Sequence, residues 1–96
     1  MRHYAIVVQF KAKKGQQEAL QSFLEEIVPI ALESPGCIRH DLHQSLDHAQ
    51  EFLFYEKWES REAHERHIAR PEVQQWRSKL DRFLEVPFHQ SFWVPL

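Results

Sequence analysis

Apolar residues recur along this chain with two different periods, and the order in which those periods alternate admits few folds. Residues 4–11, Tyr-Ala-Ile-Val-Val-Gln-Phe-Lys, form a short aromatic and β-branched run closed by Lys13, Lys14 and Gly15, which predicts a strand. Its face of Tyr4, Ile6, Val8 and Phe10 is more apolar than that of Ala5, Val7 and Gln9, and should look into the core. Residues 16–33 place Leu20, Phe23, Leu24, Ile27, Val28 and Ala31 on a helical stripe, backed by Glu18, Gln21, Ser22, Glu25 and Glu26. Pro29 lies inside that stripe and is expected to kink the helix or end its regular part, and Ser34-Pro35-Gly36 stops it. Two strands follow over 37–46 and 51–59, joined by a hairpin loop over 47–50. Ser60 is a natural N-cap for a helix over 61–69, which Arg70-Pro71 interrupts. A second helical segment over 72–85 carries Val73, Trp76, Leu80, Phe83 and Leu84 on one stripe up to Pro87, and residues 88–94 alternate as a last strand.

Strand, helix, strand, strand, helix, strand is the order of the ferredoxin-like split βαβ fold: α+β, with a four-stranded antiparallel sheet, here one domain over 1–96. Helices cover one face of such a sheet. The other face would expose Ala5, Val7 and Tyr55 or their opposite-side neighbours as an apolar patch too large for a monomer, so a homodimer with two sheets packed face to face is expected. The C-terminal strand is a candidate for reaching the partner.

Charge excludes several classes of partner. Twelve Lys and Arg against 14 Asp and Glu give -2, which supplies no field for nucleic acid and no polybasic membrane anchor. No segment approaches the run of about 20 apolar residues that a membrane span requires. The start Met1-Arg2-His3-Tyr4 leads directly into a strand without a secretory leader, and a cytoplasmic protein is expected. One cysteine, Cys37, excludes an intrachain disulfide and a thiolate zinc site, and at a strand start it reads as structural. With Gly15 and Gly36 as the only glycines, phosphate-cradling loops are nearly excluded.

Seven histidines are the unusual count, able to move the charge from -2 to +5 on acidification. His3, His48 and His89 fall at terminus, loop and edge positions, while His40 and His43, three apart on a strand, point to opposite faces. The helix over 61–69 is more informative. Its Arg61, Glu62, Glu65, Arg66 and Arg70 gather on one side, and Ala63, His64 and His67 lie opposite, with Ile68 at the margin. Tyr55, Glu56, Trp58, His64, His67 and Trp76 together would line an aromatic pocket with a few titratable groups. Two of these have a plainer reading: His64 as a core histidine bonded to a carbonyl or water, and Glu56 paired with Arg39 on the neighbouring strand. His64 and His67 share a face at metal-ligand spacing, but no third ligand is evident and no metal is expected.

Residues 33–43, Glu-Ser-Pro-Gly-Cys-Ile-Arg-His-Asp-Leu-His, and 52–63, Phe-Leu-Phe-Tyr-Glu-Lys-Trp-Glu-Ser-Arg-Glu-Ala, followed by His67, resemble the antibiotic biosynthesis monooxygenase (ABM) domain in its quinol monooxygenase branch. The likeness covers nearly the whole chain. It implies a dimeric α+β barrel with a pocket between sheet and helices in each subunit, and the position matching His67 facing that pocket. Several members are cofactor-free oxygenases of quinol-like or anthrone-like aromatics; others process the autoinducer-2 signal or degrade haem. Val8 stands where the haem-degrading relatives have a pocket Asn, and Glu72 where close relatives often carry a His. Haem degradation is therefore not implied, and a second pocket histidine would be His64.

The resulting expectation is a cofactor-independent monooxygenase that oxidises a quinol-like or polycyclic aromatic with O₂. His67 is the expected base and Glu56 orients or assists it. Trp58, Tyr55 and Trp76 hold the ring, with His64 beside them. One alternative is an isomerase or lyase acting on a small polar signalling metabolite, which needs Arg39, Lys57 or Arg77 in the pocket. Another is a non-catalytic dimeric ligand-binding module.

Overall fold

Strand β1 (Tyr4–Lys11) takes the centre of the sheet because both of its faces are largely apolar, and it bonds a strand on each side. The computed structural model describes residues 3–96; Met1 and Arg2, read as a plain lead into β1, lie outside the described residues. After β1 come α1 (Gln17–Glu33), β2 (Cys37–Gln44), β3 (Glu51–Trp58), α2 (Arg61–Ile68), α3 (Pro71–Leu80), a 3₁₀ turn at Asp81–Phe83 and β4 (His89–Trp93). The strands are antiparallel in the order β2-β3-β1-β4, the ferredoxin-like α+β arrangement.

Alternation along the strands sorts the two faces. Ile6, Val8, Phe10, Phe52, Phe54 and Trp58 pack under Leu20, Phe23, Leu24 and Ile27 of α1 and Val73 and Leu80 of α3. Glu56 shares that buried face, opposite Ile6 on one side and His40 on the other. The open face carries Ala5, Val7, Tyr55 and Trp93 with no helix over them. Among the described residues no helix is long and apolar enough to cross a membrane.

Three boundaries differ from the sequence reading, each for a local reason. The Ser45 hydroxyl accepts from the backbone N–H groups of Asp47 and His48, so Ser45 and Leu46 belong to the turn and the hairpin loop is longer than 47–50. Helix α1 runs through Pro29 to Glu33; Pro29 is exposed, and its missing donor costs one bond on the solvent side. Helix α3 ends at Leu80, because Lys13 N–H donates to the Phe83 carbonyl and Glu85 N–H to the Lys11 carbonyl, drawing the chain off as an extra backbone link to β1.

Candidate active site

Helix α2 brings two imidazoles onto the sheet. Ser60 accepts from Ala63 N–H at 3.1 Å and starts the helix, and the buried side of α2 is Ala63, His64 and His67. The helix sits close because Gly36, at φ 89°, passes directly beneath it: a Cβ there would lie 2.5 Å from the Ala63 Cβ. Both histidines therefore face the buried row of β3.

Between α2, α3 and the sheet lies a narrow cavity of about 40 Å³. Its walls are apolar, from Val8, Phe10, Phe54, Val73, Trp76 and Phe88, and its polar groups are His40, Glu56, His64, His67, Arg77 and Gln90. Trp76 is fixed as a wall by its indole N–H, which donates to the Phe23 carbonyl at 2.9 Å, and by stacking on Phe23.

His67 is held from behind. Its Nδ1 lies 2.8 Å from the Ser34 hydroxyl, which accepts from Arg70 Nη1 at 2.6 Å and donates to the Ile30 carbonyl at 3.2 Å. Assigning the single Ser34 proton to the Ile30 carbonyl makes Nδ1 the imidazole N–H donor and leaves Nε2 with a free lone pair. The ring lies 4.9 Å from that of Trp58, which also backs His64 at 5.4 Å. Burial first, then Arg70 and Arg77, lower His67 to about 4. Burial, His67 and Arg77 lower His64 to about 4 as well.

Glu56 lies at the inner end. One carboxyl oxygen accepts from Trp58 Nε1 at 3.0 Å and the other is 3.5 Å from His40 Nε2. Burial raises Glu56 to about 7 against the pull of Trp58 and Arg77, and burial with the neighbouring His67 lowers His40 to about 4. The proton of this contact therefore resides on Glu56 between about pH 4 and 7, and there the pair is neutral rather than an ion pair. His40 Nδ1 is buried without a hydrogen-bond partner.

Of the residues proposed for the pocket, Glu56, His64, His67 and Trp76 line one cavity. Trp58 is fully buried beneath them and touches the site through both imidazoles and Glu56. Tyr55 is a correction: strand alternation puts it on the open face, away from the cavity. Arg39 does not pair with Glu56; it bonds Asp41 at 2.9 Å. No hydrogen bond joins Glu56 to His67, whose orientation comes from Ser34 and Arg70 instead. Arg70 is accordingly half-buried, not part of the solvated side of α2. The rings of His64 and His67 stand 6.4 Å apart, and among the described residues no group of three His, Cys, Asp or Glu is placed to hold a metal ion.

Relatives share this frame. A Mycobacterium tuberculosis protein, Rv0793, provisionally named a monooxygenase, is 25% identical over 92 residues, covering 96% of this chain and 90% of its own. The solved structure of Rv0793 superimposes with a TM-score of 0.91 at 24% identity over 98% of this chain and 95% of that one. SO0527 from Shewanella oneidensis gives 0.91 at 27% identity, over 98% and 91%. SnoaB from Streptomyces nogalater, described as a cofactor-independent oxygenase, shares the fold with a TM-score of 0.85 at 18% identity, over 95% and 90%. The family model described as antibiotic biosynthesis monooxygenase matches residues 3–79. That match runs from β1 into the last turn of α3, through every cavity residue but Leu80, Phe88 and Gln90, and the chain belongs to the antibiotic biosynthesis monooxygenase family.

Proposed function

We propose that this protein is a monooxygenase that oxidises a hydroxylated aromatic of the quinol class with O₂, the substrate itself supplying the electrons and no cofactor taking part. The observation that carries the reading is His67: a neutral imidazole with Nδ1 occupied by Ser34, set on an aromatic floor in a mostly apolar cavity. The names of Rv0793 and SnoaB support the reaction class.

In this mechanism Nε2 of His67 takes the proton of a ring hydroxyl. The electron-rich phenolate passes one electron to O₂, and the two radicals recombine as a ring-bound peroxide. Loss of water then leaves a hydroxylated quinone, so that quinol plus O₂ gives hydroxyquinone plus water and four electrons pass from ring to oxygen. An imidazole lowered to about 4 is a weak acceptor for a phenolic proton, and the Arg77 cation compensates by stabilising the phenolate in the same field. Glu56 with His40 offers a second proton site at the inner end.

The open sheet face with Ala5, Val7, Tyr55 and Trp93 supports a homodimer. Arg77 in the cavity favours a second reading, an isomerase or lyase stabilising an oxyanion on a small polar metabolite; that reading predicts turnover without O₂ consumption. The decisive experiment is quinol-dependent O₂ uptake by His67→Gln, whose amide can keep the Ser34 bond. A fall in kcat of about 100-fold is expected, and unchanged turnover in a folded variant removes His67 from the chemistry.

A further inference from the structure

Among the cavity walls, Arg77 is the one permanently charged side chain, and no carboxylate among the described residues lies within ion-pair distance of it. Arg39, Arg61 and Arg70 each hold a carboxylate, at 2.9, 3.2 and 3.2 Å. Arg77 is half-buried yet forms no ion pair among the described residues; its guanidinium lies 5.2 Å from the centre of the Phe88 ring. Glu56, the carboxyl within the same cavity, is protonated below pH 7, and Glu65 at the mouth is occupied by Arg61. Arg77, Gln90, His64 and Ile68 line both the inner cavity and a more open outer pocket, so the cation stands between the two. A partly desolvated guanidinium outside any ion pair, beside an apolar slot, is a site suited to an anion.

We propose that the ligand of this cavity is an aromatic oxyanion, a flat ring bearing one singly charged oxygen group that pairs with Arg77 while the rest of the ring lies among Phe88, Trp76 and Phe54. One guanidinium beside neutral Gln90 matches a monoanion rather than a phosphate dianion. The anion is either a ring carboxylate or an ionised ring hydroxyl. The proposal deepens the monooxygenase reading by naming a charge its substrate carries besides the hydroxyl that His67 deprotonates, but binding tests it without any turnover.

The test is calorimetric titration at pH 6, where Glu56 is protonated, and low salt with two anions, 1-hydroxy-2-naphthoate and 2-hydroxy-1,4-naphthoquinone, against their neutral counterparts 1-naphthol and 1,4-naphthoquinone. At least one anion is expected to bind about tenfold or more tightly than its counterpart. Preference for the naphthoate alone identifies a carboxylate, and preference for the hydroxyquinone alone an ionised hydroxyl; either supports the proposal. Arg77→Gln should abolish the preference and Arg77→Lys keep part of it, with folding checked by circular dichroism. Lys79→Gln, an equal loss of charge on the exposed side of α3, should leave the preference intact. Equal affinities for all four ligands, or an anion preference that survives in Arg77→Gln, overturns the proposal. Selective anion binding without O₂ uptake by any quinol would instead count against the monooxygenase reading alone.

Discussion

Glu56 and the imidazoles around it respond to pH in opposite directions. His40, His64 and His67 are each lowered from 6.5 to about 4, so the folded state resists their protonation; the stability they contribute is present above 6.5 and is lost as pH falls toward 4. Glu56 is raised from 4.5 to about 7, so its contribution is full below 4.5 and is lost as pH rises through 7. Glu56→Gln mimics the protonated carboxyl and escapes that loss. Its stability relative to wild type should improve by about 3 kcal/mol between pH 5 and pH 9 in urea denaturation; a difference that stays constant with pH would sink the assignment. Helix and strand periods were enough to bring Glu56, His64, His67 and Trp76 together from sequence. His40, Ser34, Arg70 and Arg77 were not legible as one site, because their roles depend on contacts far apart in the chain: Ser34 meets His67 across 33 positions and Arg70 across 36.

At the scale of elements, the approach of α2 to the sheet rests on Gly36. Gly36→Ala would meet Ala63 and also force an L side chain to φ 89°, so a loss of about 2–4 kcal/mol is expected. Gly15→Ala is the control: it shares the positive φ, 81°, but has nothing within 4 Å, and should cost only about 1–2 kcal/mol. Thermal denaturation of the two variants side by side isolates the packing contribution, and equal losses would mean that α2 tolerates the extra methyl. Strand β1 and helices α1 and α2 were readable within about a residue at each end, since their periods are strong and their stop signals local. The hairpin was not. A loop over 47–50 would set 41 opposite 56, whereas His40 stands opposite Glu56, and a slip of one residue is enough to hide that pair. The end of α3 was overrun because the bonds that draw residues 83–85 to β1 leave no trace in helical periodicity.

For the whole molecule, the open face is the remaining account to close. Val7→Lys places a charge at its centre, between Tyr55 on β3 and Ser91 on β4. Light scattering behind a sizing column should give about 23 kDa for the wild type, twice the 11.6 kDa chain, and about half that for a folded Val7→Lys. A wild-type monomer would refute the homodimer. Beyond assembly, the sheet is one residue thick, and β3 serves both of its sides by parity: 52, 54, 56 and 58 face the helices, while 53, 55 and 57 face away. Directed evolution can therefore address the two faces separately, diversifying odd positions to alter the open face and even positions to alter the face beneath the helices. A single-residue insertion in β3 that is not absorbed as a bulge would exchange the two sets beyond it.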